Sequence, residues 1–270
     1  FQPAEEGGGG AAQMIAAGAL QGGDCILGGH LDPHHACGEV VAAPGIICAH
    51  TDEFHIELRG RGGHAARPHE TSDPIVAAAS LVMHLQSLTS RGVNPSWPCV
   101  VSVGEIHGGS APNVIAARTT LHGTVRATQP DTRDRLLAGI RRLAAATAEL
   151  FCLDLDLKID EGYPPVINDA RVVDLVRRVI GSHPHDYQWK PLDYPSLGGE
   201  DFSFYLKEIP GCFVRIGARP EHAPPALAHS PTFDFNEKAL VVGATLYART
   251  VLALLAAWPL PASPAKEAPQ

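Results

Sequence analysis

The chain has 270 residues, 45% of them hydrophobic and 19% charged, a balance that suits a globular fold of one large domain or two ordinary ones. With 21 Lys and Arg against 29 Asp and Glu, the formal net charge is −8 and no basic cluster stands out, which argues against nucleic acid or an anionic membrane as partner. No apolar run approaches the roughly 20 residues needed to span a bilayer, and the six cysteines, without Cys-x-x-Cys spacing, read as reduced and mostly buried thiols of a cytoplasmic protein.

In chain order, Phe1-Gln2 reads as the tail of a strand. A turn with adjacent Glu5 and Glu6 and the run Gly7–Gly10 follows, then a helix through about Leu20. A short buried strand from Cys25 to Gly28 ends in Gly29-His30. Residues 31–47 read as a connecting loop with a possible edge strand. From Glu53 to Arg59, Phe54, Ile56 and Leu58 alternate as in a half-buried strand. A glycine-rich loop carries His64. Asp73-Pro74 opens a helix whose apolar residues Ile75, Ala78, Val82, Leu85 and Leu88 fall at helical spacing. Val100–Ile106 and Thr119–Arg126 predict strands, Pro130-Asp131 starts a second long helix, and Leu153–Ile159 is the cleanest period-two strand. The order β-α-β-β-α-β over about 50–161 predicts a split βαβ, ferredoxin-like unit inserted into another domain. Beyond it come a helix over about 169–180, a polar loop to Tyr194, a short helix after Gly198-Gly199, a buried strand over 212–217, and a Pro-rich loop with His229. A long helix over about 236–257 and a disordered tail over 258–270 complete the chain. The boundaries expected are therefore 1–49, 50–161, 162–257 and the tail.

Neighbouring carboxylates at a strand-to-helix turn can divide two tasks of metal-assisted hydrolysis, one holding a cation and the other taking a proton. They can equally be solvated acids favoured at a helix N-terminus. The glycine run tips Glu5 and Glu6 toward the first reading, because it permits a sharp turn and open space above them. His30 lies at the end of the next predicted strand, where it reads on its own as a turn residue; a strand-helix-strand unit could instead bring Glu6 and His30 to one metal such as Zn²⁺ or Mn²⁺. His229, followed by Ser230-Pro231, could join them or be a simple loop residue. Glu200 and Asp201 fit two readings equally well, partners that orient a ligand or first-turn acids of a short helix.

The segment from Phe1 to Ala11, Phe-Gln-Pro-Ala-Glu-Glu-Gly-Gly-Gly-Gly-Ala, closely resembles the signature of the M20 metallohydrolases, in particular the amidohydrolase branch with hippurate hydrolases, N-acyl-amino-acid deacylases and auxin-conjugate hydrolases. The resemblance continues in order through residues 60–69, 111–115, 123–126, 199–205 and 229–231, and covers the chain to about residue 257. It implies an α/β catalytic domain with a mixed sheet and an inserted ferredoxin-like lid that forms a homodimer. It implies Glu5 as general base and Glu6, His30 and His229 as ligands in a site for two divalent metals (Zn, Mn, Co or Ni). His64 would reach the active site of a partner subunit and hold the developing oxyanion. Asn113 and Arg126 would contact the substrate, Arg126 through its carboxylate. The expected substrate is a small N-acyl amino acid. Family members carry His-x-Asp and Cys-Gly-His-Asp-Gly-His-like elements upstream that do not occur here, so the sequence reads as a C-terminal fragment whose activity requires the missing N-terminal segment. Two alternatives accompany the amidohydrolase reading: a degenerate dimerising protein without activity, or an exopeptidase or dipeptidase on the same fold.

Overall fold

The computed structural model describes residues 2–5, 8–221 and 230–260. In chain order the first elements are α1 (Gly10–Ala16), β1 (Ile26–Asp32), β2 (Glu39–Val41), β3 (Gly45–Cys48), β4 (His50–Arg59) and β5 (Gly63–His64). A 3₁₀ turn (Pro68–Glu70) leads to α2 (Pro74–Gly92), β6 (Cys99–Gly108), β7 (Val114–Ile115), β8 (Arg118–Ala127), α3 (Pro130–Leu150) and β9 (Asp154–Glu161). Then come β10 (Val166–Asn168), α4 (Ala170–Ser182), β11 (Gln188–Lys190), α5 (Ser203–Glu208), β12 (Gly211–Gly217) and α6 (Lys238–Ala257). Two compact units share the chain. One comprises residues 1–47, 166–194 and 200–270, the other 48–165 with 195–199.

The first unit is built on a mixed four-stranded sheet in the order β1-β12-β2-β11, with β3 and β10 forming a second, two-stranded sheet. β1 and β12 run parallel in unbroken register from Ile26↔Gly211 to Asp32↔Gly217. That pairing carries β1 past the expected end at Gly28, so His30 lies within the strand opposite Arg215. β2 is an inner strand between β12 and β11 and not the edge strand expected. α1 stops at Ala16, short of Leu20, where Gly18 takes a left-handed φ of 89° and the chain turns. Asp169 caps α4, accepting from Arg171 N at 2.8 Å and Val172 N at 3.4 Å. Val172, Val173, Val176 and Ile180 of α4 pack with Leu246 and Leu254 of α6, and with Val214 and Ile216 of β12, in one core. α6 is long and apolar enough to cross a membrane by length and composition, a correction to the expectation that no apolar run approaches that length. Its Ala239, Gly243, Leu246, Thr250 and Leu254 are buried in this unit, while Leu240, Val241, Val251, Leu252 and Leu255 are exposed.

The second unit is an antiparallel sheet in the order β6-β8-β4-β9 with α2 and α3 on one face, the ferredoxin-like arrangement of two βαβ halves. Alternation decides the faces: Phe54, Ile56 and Leu58 of β4, with Leu121 and Val125 of β8, point inward. There they meet Leu81 and Leu85 of α2 and Leu136 and Ile140 of α3. Asp73 caps α2 through Ile75 N and Val76 N, with Pro74 in the first turn, as its sequence predicts. Asp52, 2% exposed, receives Arg133 Nε and Nη2 from α3, each at 2.7 Å, and so ties that helix to β4.

All six cysteines are free, but only Cys48 and Cys212 are buried; Cys25, Cys37 and Cys99 are half-buried and Cys152 is exposed, against the expectation of mostly buried thiols. The tail beyond Leu260 lies outside the described residues.

Candidate active site

β1 has two consecutive glycines before His30 because both flanks are occupied. A Cβ on Gly28 would sit 2.5 Å from the Phe202 ring, and one on Gly29 would sit 2.3 Å from the Tyr247 hydroxyl. Burial raises the Tyr247 phenol above its ordinary range. His30 itself is exposed, and its Nδ1 lies 2.6 Å from the Leu31 carbonyl. A carbonyl can only accept, so Nδ1 carries the proton and the Nε2 lone pair is left to ligate, the usual arrangement of a metal-binding histidine.

Glu5 lies on a loop between Gln2 and α1 that closes tightly on itself. Ala4, Gly8 and Gly9 have positive φ (55°, 114° and 64°), and Gly10 N donates to Ala4 O at 3.4 Å. A Cβ on Gly10 would fall 1.7 Å from the Pro3 carbonyl oxygen, so no other residue fits there without opening the loop. Asp201, 1% exposed, accepts from Gln2 Nε2 with both oxygens at 2.8 Å and from Ala11 N at 3.0 Å. Tyr205 Oη donates to Gln2 Oε1 at 3.0 Å.

Glu200 is buried, and its Oε1 accepts from Phe202 N at 3.2 Å. Its pKa is raised, first by burial, then by the charges of Glu5 and Asp201, with His30 pulling the other way. Glu5, Asp201 and His30 therefore all act electrostatically on the Glu200 carboxyl. Sequence spacing alone leaves Glu200 and Asp201 open. The fold separates them, with Glu200 beside the catalytic candidates and Asp201 bound to the loop. Gln2 and Tyr205 escape the sequence reading altogether, the only signal being their place in the quoted motifs.

Glu6 and His229 lie outside the described residues. Among the described residues no group of three or more His, Cys, Asp or Glu side chains converges on a metal position. The donors that are described, the His30 imidazole with the carboxylates of Glu5 and Glu200, are of the kind that suits Zn²⁺ or Mn²⁺.

In the second unit His64 sits on a two-stranded ribbon, with Gly63↔Ile115 and His64↔Val114 paired and Ala65 N donating to Asn113 O at 3.1 Å. The ribbon brings His64 and Asn113 together. Ala66 N donates to His64 Nδ1 at 3.1 Å, so in the neutral ring the proton is on Nε2, the reverse of His30. His64 lines an open pocket of about 370 Å³ with Arg61, Gly62, Gly63, Glu70 and Thr71. Arg126 is on the helix-free face of the four-stranded sheet, where its Nη1 donates to Leu197 O at 2.9 Å.

The sequence matches the family described as "Peptidase family M20/M25/M40" over residues 1–253. It is 37% identical over 242 residues to an N-acetyl-L-cysteine deacetylase of Bacillus subtilis, covering 89% of this chain and 56% of that protein. It is 36% identical over 253 residues to "IAA-amino acid hydrolase ILR1-like 4" of Arabidopsis thaliana, covering 92% of this chain and 57% of that protein. Among solved structures, the YXEP protein of Bacillus subtilis, titled a dinuclear metal binding peptidase from the M20 family, superposes with a TM-score of 0.78 at 30% identity. That match covers 95% of this chain and 64% of that one. The chain belongs to the M20 peptidase family, and its relatives place it in the amidohydrolase branch. It spans between half and two thirds of the length of these relatives.

Proposed function

We propose that this chain carries catalytic machinery for metal-dependent hydrolysis of the amide bond of N-acyl amino acids. The observation that carries the reading is the orientation of His30: its Nδ1–H is spent on the Leu31 carbonyl, which leaves Nε2 to ligate beside Glu5 and Glu200. Glu6, His30 and His229 hold the ions, two divalent metals of the Zn, Mn, Co or Ni type. Such ions lower the pKa of water and polarise an acyl carbonyl.

The chain's own groups do the rest. Glu5 takes the proton of the attacking water and returns it to the leaving amine nitrogen. His64, supplied by the second unit of a partner chain in a homodimer, offers Nε2–H to the developing oxyanion, the role its tautomer suits. Asn113 contacts the substrate. Arg126 holds the substrate carboxylate with donors other than the Nη1 spent on Leu197. The deacetylase and amino-acid-conjugate hydrolase among the relatives support an acyl amino acid as substrate, and the free thiols support a cytoplasmic location.

The test is a panel of N-acyl amino acids and dipeptides supplied with Zn²⁺, Mn²⁺, Co²⁺ or Ni²⁺. Acyl amino acids should be cleaved in preference to dipeptides. Glu5→Gln should cut turnover by about 10²–10⁴-fold with metal content unchanged. Near-normal turnover in that variant would remove Glu5 as the base.

A further inference from the structure

We infer that Asp201 is the positioning residue for Glu5, acting through Gln2 and Ala11 and touching neither substrate nor metal. Its role as a clamp is read from geometry; its catalytic consequence rests on the assignment of Glu5 proposed above. One buried carboxylate binds the chain on both sides of the catalytic loop: the Gln2 side chain three residues before Glu5, and the Ala11 amide six residues after it. Between those two anchors the backbone holds a non-glycine residue, Ala4, at φ 55°, in a region that L residues seldom occupy. Such a conformation persists only where its surroundings over-determine it. Here the over-determination is visible: Asp201 at both ends, Gly10 N on Ala4 O, and Tyr205 Oη fixing the Gln2 amide so that Nε2 faces the carboxylate.

The arrangement also explains why position 2 carries an amide and not an acid. Gln2 must donate to Asp201 and accept from Tyr205 at once, and only a carboxamide offers both atoms. A general base must stand within hydrogen-bond reach of the proton it takes, and a misplacement of about 1 Å can cost on the order of 10² in rate. Asp201 lies 196 residues from Glu5 in sequence, so it ties the placement of the base to the segment that begins α5.

The experiment exchanges the hydrogen-bonding roles. Gln2→Glu sets two carboxylates against each other. Combining it with Asp201→Asn restores one bond between the two side chains with donor and acceptor reversed: the new amide nitrogen donates to position 2, its oxygen still accepts from Ala11 N, and Tyr205 donates to the new carboxylate, while the second Gln2 contact, to the oxygen that Ala11 N shares, is not remade. In the full chain, hydrogen exchange of residues 2–12 should quicken at least tenfold in Gln2→Glu and return to within about threefold of wild type in the double variant, with β12 and α6 unchanged. Turnover of the metal-loaded protein should fall about 10- to 100-fold in Gln2→Glu, with KM within about twofold, and recover in the double variant. Tyr205→Phe, which deletes a single hydroxyl, should quicken exchange over the same residues several-fold, and it serves where Gln2→Glu does not fold. Unchanged loop exchange in these single variants, or no recovery in the double variant, overturns the clamp. Loop exchange that changes and recovers while kcat stays constant overturns its positioning role. A wild-type chain that cleaves no acyl amino acid counts against the proposed function alone, because the exchange comparison still decides the clamp.

Discussion

Replacing Arg133 by Met should weaken the second unit strongly. Asp52 is 2% exposed and the Arg133 side chain 16%, so this pair is largely out of water. Two charge-assisted bonds of 2.7 Å join them, with Gly162 N at 3.4 Å as the other donor to the carboxylate. The neighbouring acid Glu161, 3.3 Å from Arg133 Nη2, is 78% exposed and offers Asp52 no positive charge. The carboxylate holds the Arg133 guanidinium more firmly protonated than an ordinary arginine. Removing the arginine leaves a buried charge nearly uncompensated, a loss of about 3–5 kcal/mol. Because two units unfold in one chain, a single denaturation midpoint is a poor measure, and hydrogen exchange of β4 and α3 amides reads the affected unit directly. At about 1.4 kcal/mol per factor of ten, those amides should exchange about 10²–10⁴-fold faster, while amides of β1 and β12 keep their wild-type rates. Pairing Arg133→Met with Asp52→Val should return most of the loss, since a buried ion pair and an apolar pair of similar volume differ little. A loss below about 1 kcal/mol in Arg133→Met would refute the reasoning, because it would mean that Asp52 is solvated or satisfied without its partner.

Gly28→Ala should cost about 1–3 kcal/mol, as its Cβ meets the Phe202 ring wedged against Phe213 and Tyr205. Gly92→Ala, with nothing near its Cβ, should be neutral or slightly stabilising; chemical denaturation of both variants makes the comparison, and equal effects would discard the packing argument. Asp169 has a pKa held below the ordinary carboxylate value, first by its hydrogen bond to Arg171 and, against the cost of burial, by backbone amides of α4. A lowered folded-state pKa gives stability that is present above the unfolded value of about 3.9 and is lost as pH falls through the folded one. Asp169→Asn should therefore be less stable at pH 7 by about 1 kcal/mol and show a shallower loss below pH 4, measured by urea titration across pH. An unaltered acid limb would refute the assignment.

The long elements were legible because local and tertiary signals agree. Asp73-Pro74 and Asp169 announce helices, and the alternation of Phe54, Ile56 and Leu58 gives both the strand and its buried face. The short strands were not. Gln188-Trp189-Lys190 has no period to read, and it becomes β11 only because β2 pairs with it in register. β2 looked peripheral because its three residues say nothing about which strands flank them. The same holds at the site. His30 and Glu5 stand out by type and spacing, but the tautomer of His30 depends on one backbone carbonyl, and the part played by Gln2 on a contact across 199 residues. Asp201 shows the limit: an acid beside an acid, whose task is decided by what the fold sets against it.

The crossings at residues 47–48 and 165–166 bear on how the chain comes to be folded. β3, which leads into the second unit, pairs with β10, which leaves it, and inside that unit Thr51 N reaches Tyr163 O at 3.1 Å. A nascent chain has synthesised residues 48–165 of the second unit before β10 exists, and its four-strand sheet can form from those residues alone. Once formed, that sheet holds its own two ends side by side, so β3 and β10 meet without the entropy of closing a loose loop of more than a hundred residues. The inserted unit would then act during synthesis as a splint, setting the interrupted halves of the other unit in register before α6 arrives to complete the core.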